Sequence, residues 1–223
     1  MSDHDPGPAL AELAALDPPV LLPQLDARIS AIAEALEVTA ARARTLVSSA
    51  IVAQMLPPAA AVKGGMGIKL RLGETGTRAT RDIDVVAQER EVFEAEVARR
   101  LEVGWGEVPP TPLALNKDAE APPRVAFTGT IRAQKQATPP GVPPNYVMQP
   151  YKVSLKFTGA ATNWPATPLE VVHDEIDGSE IAEPDHVIAA QVSDIAAALG
   201  CGALAPGAAA LTRTAGLRRR SMR

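Results

Sequence analysis

The stretch from Val62 to Val86, VKGGMGIKLRLGETGTRATRDIDVV, constrains this chain more than any other. It opens on a Gly-Gly turn, passes through a short amphipathic run and a polar loop, and closes on two aspartates one residue apart. The segment Arg81 to Ala87 reads as a strand, and Ala60 to Lys63 as a shorter one before it. Alternate side chains of a strand share a face, so Asp82 and Asp84 point the same way and Ile83 points to the other side. Two carboxylates held side by side repel each other unless a cation sits between them. A hard divalent ion such as Mg²⁺, bound by one or two carboxylates plus phosphate oxygens, meets that need. Gly64-Gly65 precedes a helical turn expected over Gly65 to Leu72, which places backbone N–H groups where a triphosphate is held. An acidic strand edge and an ordinary turn are the plain alternatives to a metal–nucleotide site.

A second pair of strands carries the other charged residues of interest. Tyr151 to Phe157 alternates, with Lys152, Ser154 and Lys156 on one face, and Leu169 to Val172 reads as its partner across a turn at Asn163-Trp164-Pro165. A lysine and Glu170 facing inward on paired strands are costly unless paired with each other or used. A cross-strand ion pair and a functional pair both satisfy the pattern.

Taken in order, Lys63-Gly64-Gly65, Leu70-x-Leu72 and Arg78-x-Thr80-x-Asp82-x-Asp84 resemble the first motif of the AbiEii-like nucleotidyltransferases. That family lies within the DNA polymerase beta-like nucleotidyltransferase superfamily and includes toxins of toxin–antitoxin pairs. The resemblance implies a nucleotidyltransferase-like mixed α/β sheet flanked by helices. It implies a lysine-bearing strand followed by a strand with the third carboxylate, which Lys156 and Glu170 match, with Lys152 and Asp174 as alternates. Asp82, Asp84 and Glu170 would then hold Mg²⁺ or Mn²⁺. Lys63, Gly64, Gly65, Met66, Arg78, Thr80 and Lys152 would line the nucleoside triphosphate, and Lys156 would offset its charge. The implied reaction transfers a nucleotide to RNA, at the 3′ end of transfer RNA, and the implied partner is a cognate antitoxin protein. Modification of a protein and a non-catalytic binding role are the alternatives. Two positions depart from the family pattern. Met66 stands where Ser or Thr usually follows the glycines, and Gln191, in Val187 to Val192, stands where a lysine is expected. The resemblance spans roughly residues 25–195, and the family's C-terminal helical half is expected to be absent or replaced.

The rest of the sequence sets bounds. A chain of 223 residues accommodates one large domain or two small ones. Apolar residues make up 46% and aromatics 3%, so Ala, Val, Leu and Ile must supply the core. A net charge of −4 excludes a bulk polyanion binder and requires any nucleic-acid contact to be local. The single cysteine, Cys201, excludes a disulfide framework. No stretch approaches the roughly 20 apolar residues of a membrane span, and the acidic start lacks a signal peptide's basic residues, so the cytoplasm is expected.

Residues 1–23 read as a proline-bearing lead-in with a short helix over Ala9 to Leu16. Leu25, Ile29, Ile32 and Leu36 form the stripe of a helix, and Thr39 caps another that buries Leu46, Val47, Ala50 and Ile51 and stops at Pro57-Pro58. Gln88 to Leu101 is a further, charged and amphipathic helix with Val92, Phe93, Val97 and Leu101 as its stripe. Prolines from Val103 to Asn145 indicate two long loops around a strand at Arg124 to Ala133, with Trp105 as a loop anchor. Lys117, Arg124, Arg132 and Lys135 read as scattered surface charge or a basic rim. The expected catalytic domain covers 24–200, followed by a flexible basic tail over 201–223.

Overall fold

The computed structural model describes residues 7–57, 60–63, 81–87, 90–118, 120–136, 140–141, 147–173, 194–201 and 213–214. Gly64, Gly65, Met66, Arg78, Thr80, Asp174 and Gln191 lie outside these, as does most of the basic tail.

Helix α1 (Gly7–Ala14) leads to α2 (Leu22–Ala35). The start of α2 is fixed by Gln24, whose side-chain carbonyl accepts from the backbone N–H of Val20 at 2.8 Å and of Leu21 at 3.0 Å. Leu25, Ile29 and Ile32 are fully buried along the expected stripe. Helix α3 (Ala40–Met55) is capped by Thr39, whose hydroxyl accepts from Arg42 N–H at 3.2 Å. Nearly every residue of α3 from Leu46 to Met55 is buried, so its apolar surface is wider than a single stripe. Such a helix runs through the core rather than over it.

Strand β1 (Ala61–Lys63) and strand β2 (Ile83–Ala87) precede α4 (Arg90–Val103), which buries Phe93, Val97 and Leu101. Val92, expected on that stripe, is 56% exposed. It lies one residue before Phe93, about 100° around the helix and off the buried side. Gly104 turns the chain out of α4 at φ +92°, where a Cβ would lie 2.5 Å from the Phe127 carbonyl oxygen. Only glycine permits so close a turn.

The described residues of the proline-rich region hold more regular structure than expected. It contains β3 (Trp105–Val108), α5 (Pro112–Lys117) and β4 (Arg124–Ala133). Trp105 is a core residue of a strand rather than a loop anchor, 2% exposed, with its indole N–H donating to Gln54 at 3.0 Å. Strand β5 (Gln149–Phe157), β6 (Thr167–His173) and the two-residue β7 (Arg213–Thr214) complete the chain. The sheet runs β3-β4-β5-β6-β2-β1-β7, with β2/β6 and β1/β7 parallel and the other pairs antiparallel. The fold is mixed α/β.

One face of the sheet meets the helices. Tyr151, Val153, Leu155 and Phe157 of β5 are buried there, and Phe127, Phe157, Trp105 and Trp164 form a ring cluster with centroids 5.1 to 6.0 Å apart. The other face carries Lys152 and Lys156, both exposed.

The lead-in helix and the segment ending at Cys201 both pack on this core. Leu10 of the lead-in is buried against α2, and Cys201 is fully buried, its carbonyl accepting from Glu107 N–H at 2.5 Å. Arg28 joins these ends. Its guanidinium donates to the carbonyls of Leu13, Asp17 and Ala198 at 2.8 to 2.9 Å. Burial pulls its proton affinity down and the neighbouring Cys201 and Asp17 oppose that. The Cys201 thiol is pushed up to about 12 by burial, so it packs as an apolar group.

Candidate active site

The site is a product of register. In the parallel pair β2/β6, Asp84 lies opposite Glu170, and in the antiparallel pair β1/β2, Lys63 lies opposite Asp84. Across β6 the same level reaches Pro150 of β5. Asp82 stands one residue ahead of β2, at the level of Pro168, and that level continues through Lys152 to Arg132. Two rows therefore cross the sheet side by side. One runs Lys63, Asp84, Glu170, Pro150; the other runs Asp82, Pro168, Lys152, Arg132.

Three carboxylates meet in these rows. Glu170 is half-buried, and its carboxyl is held above the usual glutamate range, first by burial and then by the charges of Asp82 and Asp84. Burial and the two neighbouring carboxylates act in the same direction, each disfavouring the ionised form. A divalent cation fits such a cluster because it reverses the sign of the local field. Among the described residues no three carboxylate, imidazole or thiol groups form a ready-made metal cage. Magnesium sites on nucleotides seldom have one, since phosphate oxygens and water complete the shell.

The lysines separate. Lys152 is the diagonal neighbour of Glu170 across the β5/β6 pair, a Cα separation of about 7–8 Å. Lys156 stands six residues past Pro150, about 20 Å along the strand from the level of Glu170. It lines a separate hollow with Arg124, Thr128 and Thr158. The alternation of β5 gives both lysines the same face, but only the pairing register sets their level, and the register brings Lys152 to the carboxylates.

Strand β5 is held at that level from beneath. The Tyr151 hydroxyl donates to Glu94 Oε1 at 2.8 Å, and Arg90 Nε donates to the same oxygen at 3.0 Å. Burial, then the Glu94 hydrogen bond, pushes the Tyr151 hydroxyl far above its ordinary value. Burial alone would raise Glu94, but the bonds from Arg90 and Tyr151 outweigh it and its carboxyl is lowered.

A cleft of about 580 Å³ opens beside Asp82, lined by Arg81, Pro168 and Thr167 on the sheet side and by Thr39, Arg42 and Arg44 at the start of α3. Arg44 is anchored by Asp26 at 2.6 Å and lies over the Trp164 ring, 5.9 Å from its centre. The sequence carries no sign of this cleft, because its arginines come from segments about forty residues apart.

No protein-family model matches the sequence, and no curated protein matches it. Among solved structures, the crystal structure of JHP933 from Helicobacter pylori is similar over 60% of this chain, at 14% identity and a TM-score of 0.34. The match spans 44% of that protein, less than half its length. The functional reading rests on the residues themselves.

Proposed function

We propose that this chain is a metal-dependent nucleotidyltransferase that transfers a nucleoside monophosphate from a triphosphate to the 3′ end of an RNA, with release of pyrophosphate. The observation that supports it is the meeting of Asp82, Asp84 and Glu170 on neighbouring strands, with the Glu170 carboxyl raised by burial and then by the charges of the other two. These three residues would hold Mg²⁺ or Mn²⁺. When bound, the metal supplies charge neutralisation for phosphate oxygens and activation of an attacking hydroxyl.

The chain's own groups supply the rest. Glu170 is suited to accept the proton of the attacking ribose hydroxyl, because its affinity for a proton is already raised. Lys152, the diagonal neighbour of Glu170, offsets charge on the departing pyrophosphate. Arg42 and Arg81 in the cleft beside Asp82 present further positive charge to a triphosphate. The role of toxin with a cognate antitoxin, and transfer RNA as the acceptor, come from the sequence resemblance alone.

Incubation with α-labelled triphosphates, Mg²⁺, total transfer RNA and cell protein tests the reading. Label in RNA supports it. Label in protein would replace the acceptor, and no label under any triphosphate would leave a binding protein. Among the described residues no helix is long and apolar enough to cross a membrane.

A further inference from the structure

The open face of β4 and β5 next to the carboxylates is strongly and uniformly basic. Arg132 lies opposite Lys152, Thr130 opposite Ser154 and Thr128 opposite Lys156. Arg132, Thr130, Thr128, Lys152 and Lys156 are all exposed. No carboxylate and no aromatic residue occupies these positions. Beyond Lys156 lies a hollow of about 360 Å³ whose wall includes Arg124, Thr128 and Thr158. There the buried Arg124 Nε has no hydrogen-bond partner, and the two terminal nitrogens reach the Thr158 hydroxyl and the Pro109 carbonyl only at 3.5 Å each. An under-satisfied guanidinium beside a lysine and two hydroxyls is a site built for an anion.

The rows fix a direction. Arg132 and Lys152 are level with Asp82, and Lys156 lies four residues further, about 13 Å along the strand. We infer that this face is the track for the RNA acceptor strand: its 3′ end lies at the carboxylates, and the phosphates upstream run along β5 to the Arg124–Lys156 hollow. The inference rests on the nucleotidyltransferase reading and adds the surface to it. With cations and hydroxyls but no stacking rings, the track binds the phosphodiester backbone and leaves the bases unread. Arg124 and Arg132, scattered in the sequence, thus join Lys152 and Lys156 on one surface.

The test uses a fluorescein-labelled single-stranded RNA of about twelve nucleotides, titrated with the full chain in chelator across a salt series, so that binding is read without transfer. Each lost phosphate contact lowers the salt slope by about 0.7. The double variant Arg124→Gln/Lys156→Gln should lose about 1.4 from the slope and bind roughly tenfold more weakly at low salt. Arg99→Gln, on the exposed side of α4, should change neither. Lys156→Gln alone, at an exposed position, keeps the test valid if the arginine change perturbs folding. An unchanged slope in the lysine and double variants overturns the track, even if transfer to RNA is observed. A wild-type chain that binds this RNA with the stated slope changes but transfers no nucleotide overturns the enzyme reading and leaves the track. Equal capture of a polyglutamate peptide, with equal loss in the variants, would make the face a docking site for an acidic protein and overturn the RNA assignment.

Discussion

At the scale of the residue, Glu170 is the most informative group. Its carboxyl binds a proton more tightly in the fold than in the unfolded chain, through burial and the charges of Asp82 and Asp84. The sign of the linkage follows. A raised acid contributes stability that is fully present below its unfolded value, near 4.3, and is lost as pH rises through the higher folded value. Metal-free protein should therefore lose thermal stability over that window by more than a Glu170→Gln variant does. Mg²⁺ or Mn²⁺ should recover the loss in the wild type alone. Matched melting curves across the window would show it, and parallel pH profiles for both proteins would disprove it. The lysines provide a second residue-scale prediction. Lys152→Ala should lower the transfer rate by on the order of 10²-fold, the size of one lost charge-stabilising donor. Lys156→Ala should leave the rate at saturating RNA unchanged and raise only the RNA concentration needed. Single-turnover kinetics separate the two.

At the scale of the element, local chemistry was legible and level was not. The Thr39 cap, the strand at Arg124 to Ala133 and the shared face of Lys152 and Lys156 all follow from spacing, and the structure has each. Which lysine meets Glu170 depends on hydrogen-bond register, which alternation cannot specify because it repeats every two residues. Trp105 misled for a different reason. A short strand between a Gly104 turn and Pro109-Pro110 has too few residues to show alternation, and its burial comes from Gln54 and Phe127, both distant in sequence. The cap lends itself to measurement: Thr39→Ala should cost about 1 kcal/mol in chemical denaturation. Gly129→Ala should cost more, since a Cβ there would meet the Ser154 carbonyl at 2.8 Å and Leu101 Cδ2 at 2.9 Å, forcing α4 off β4.

At the scale of the whole molecule, the carboxylate rows sit mid-sheet and the fold is tied together at a distance from them. Arg28 binds three carbonyls that belong to the lead-in and to the segment ending at Cys201. Arg28 lies outside the Leu25, Ile29, Ile32 and Leu36 stripe of its helix, yet the lead-in and the segment ending at Cys201 cover it and leave it 8% exposed. Arg28→Ala should destabilise the protein by about 3 kcal/mol, because three carbonyls lose a charged donor. Its metal and triphosphate affinities should survive wherever the chain stays folded. The mixed α/β class was legible from the order of strands and helices, whereas the meeting of Asp84 with Glu170 was implied by the family resemblance alone, since nothing in spacing pairs β2 with β6. The arginine-lined cleft and the basic track were not legible, since each assembles residues from separate segments.

The measurement closest to the central claim is Mn²⁺ binding, followed by electron paramagnetic resonance with a non-hydrolysable triphosphate present, in wild type, Asp82→Ala, Asp84→Ala and Glu170→Gln. A bound-Mn²⁺ signal is expected in the wild type, weakened in Glu170→Gln and absent in both aspartate variants, with folding intact by circular dichroism. Wild-type binding retained in Asp84→Ala would contradict this expectation, because the metal would then be held by groups other than the two carboxylate rows.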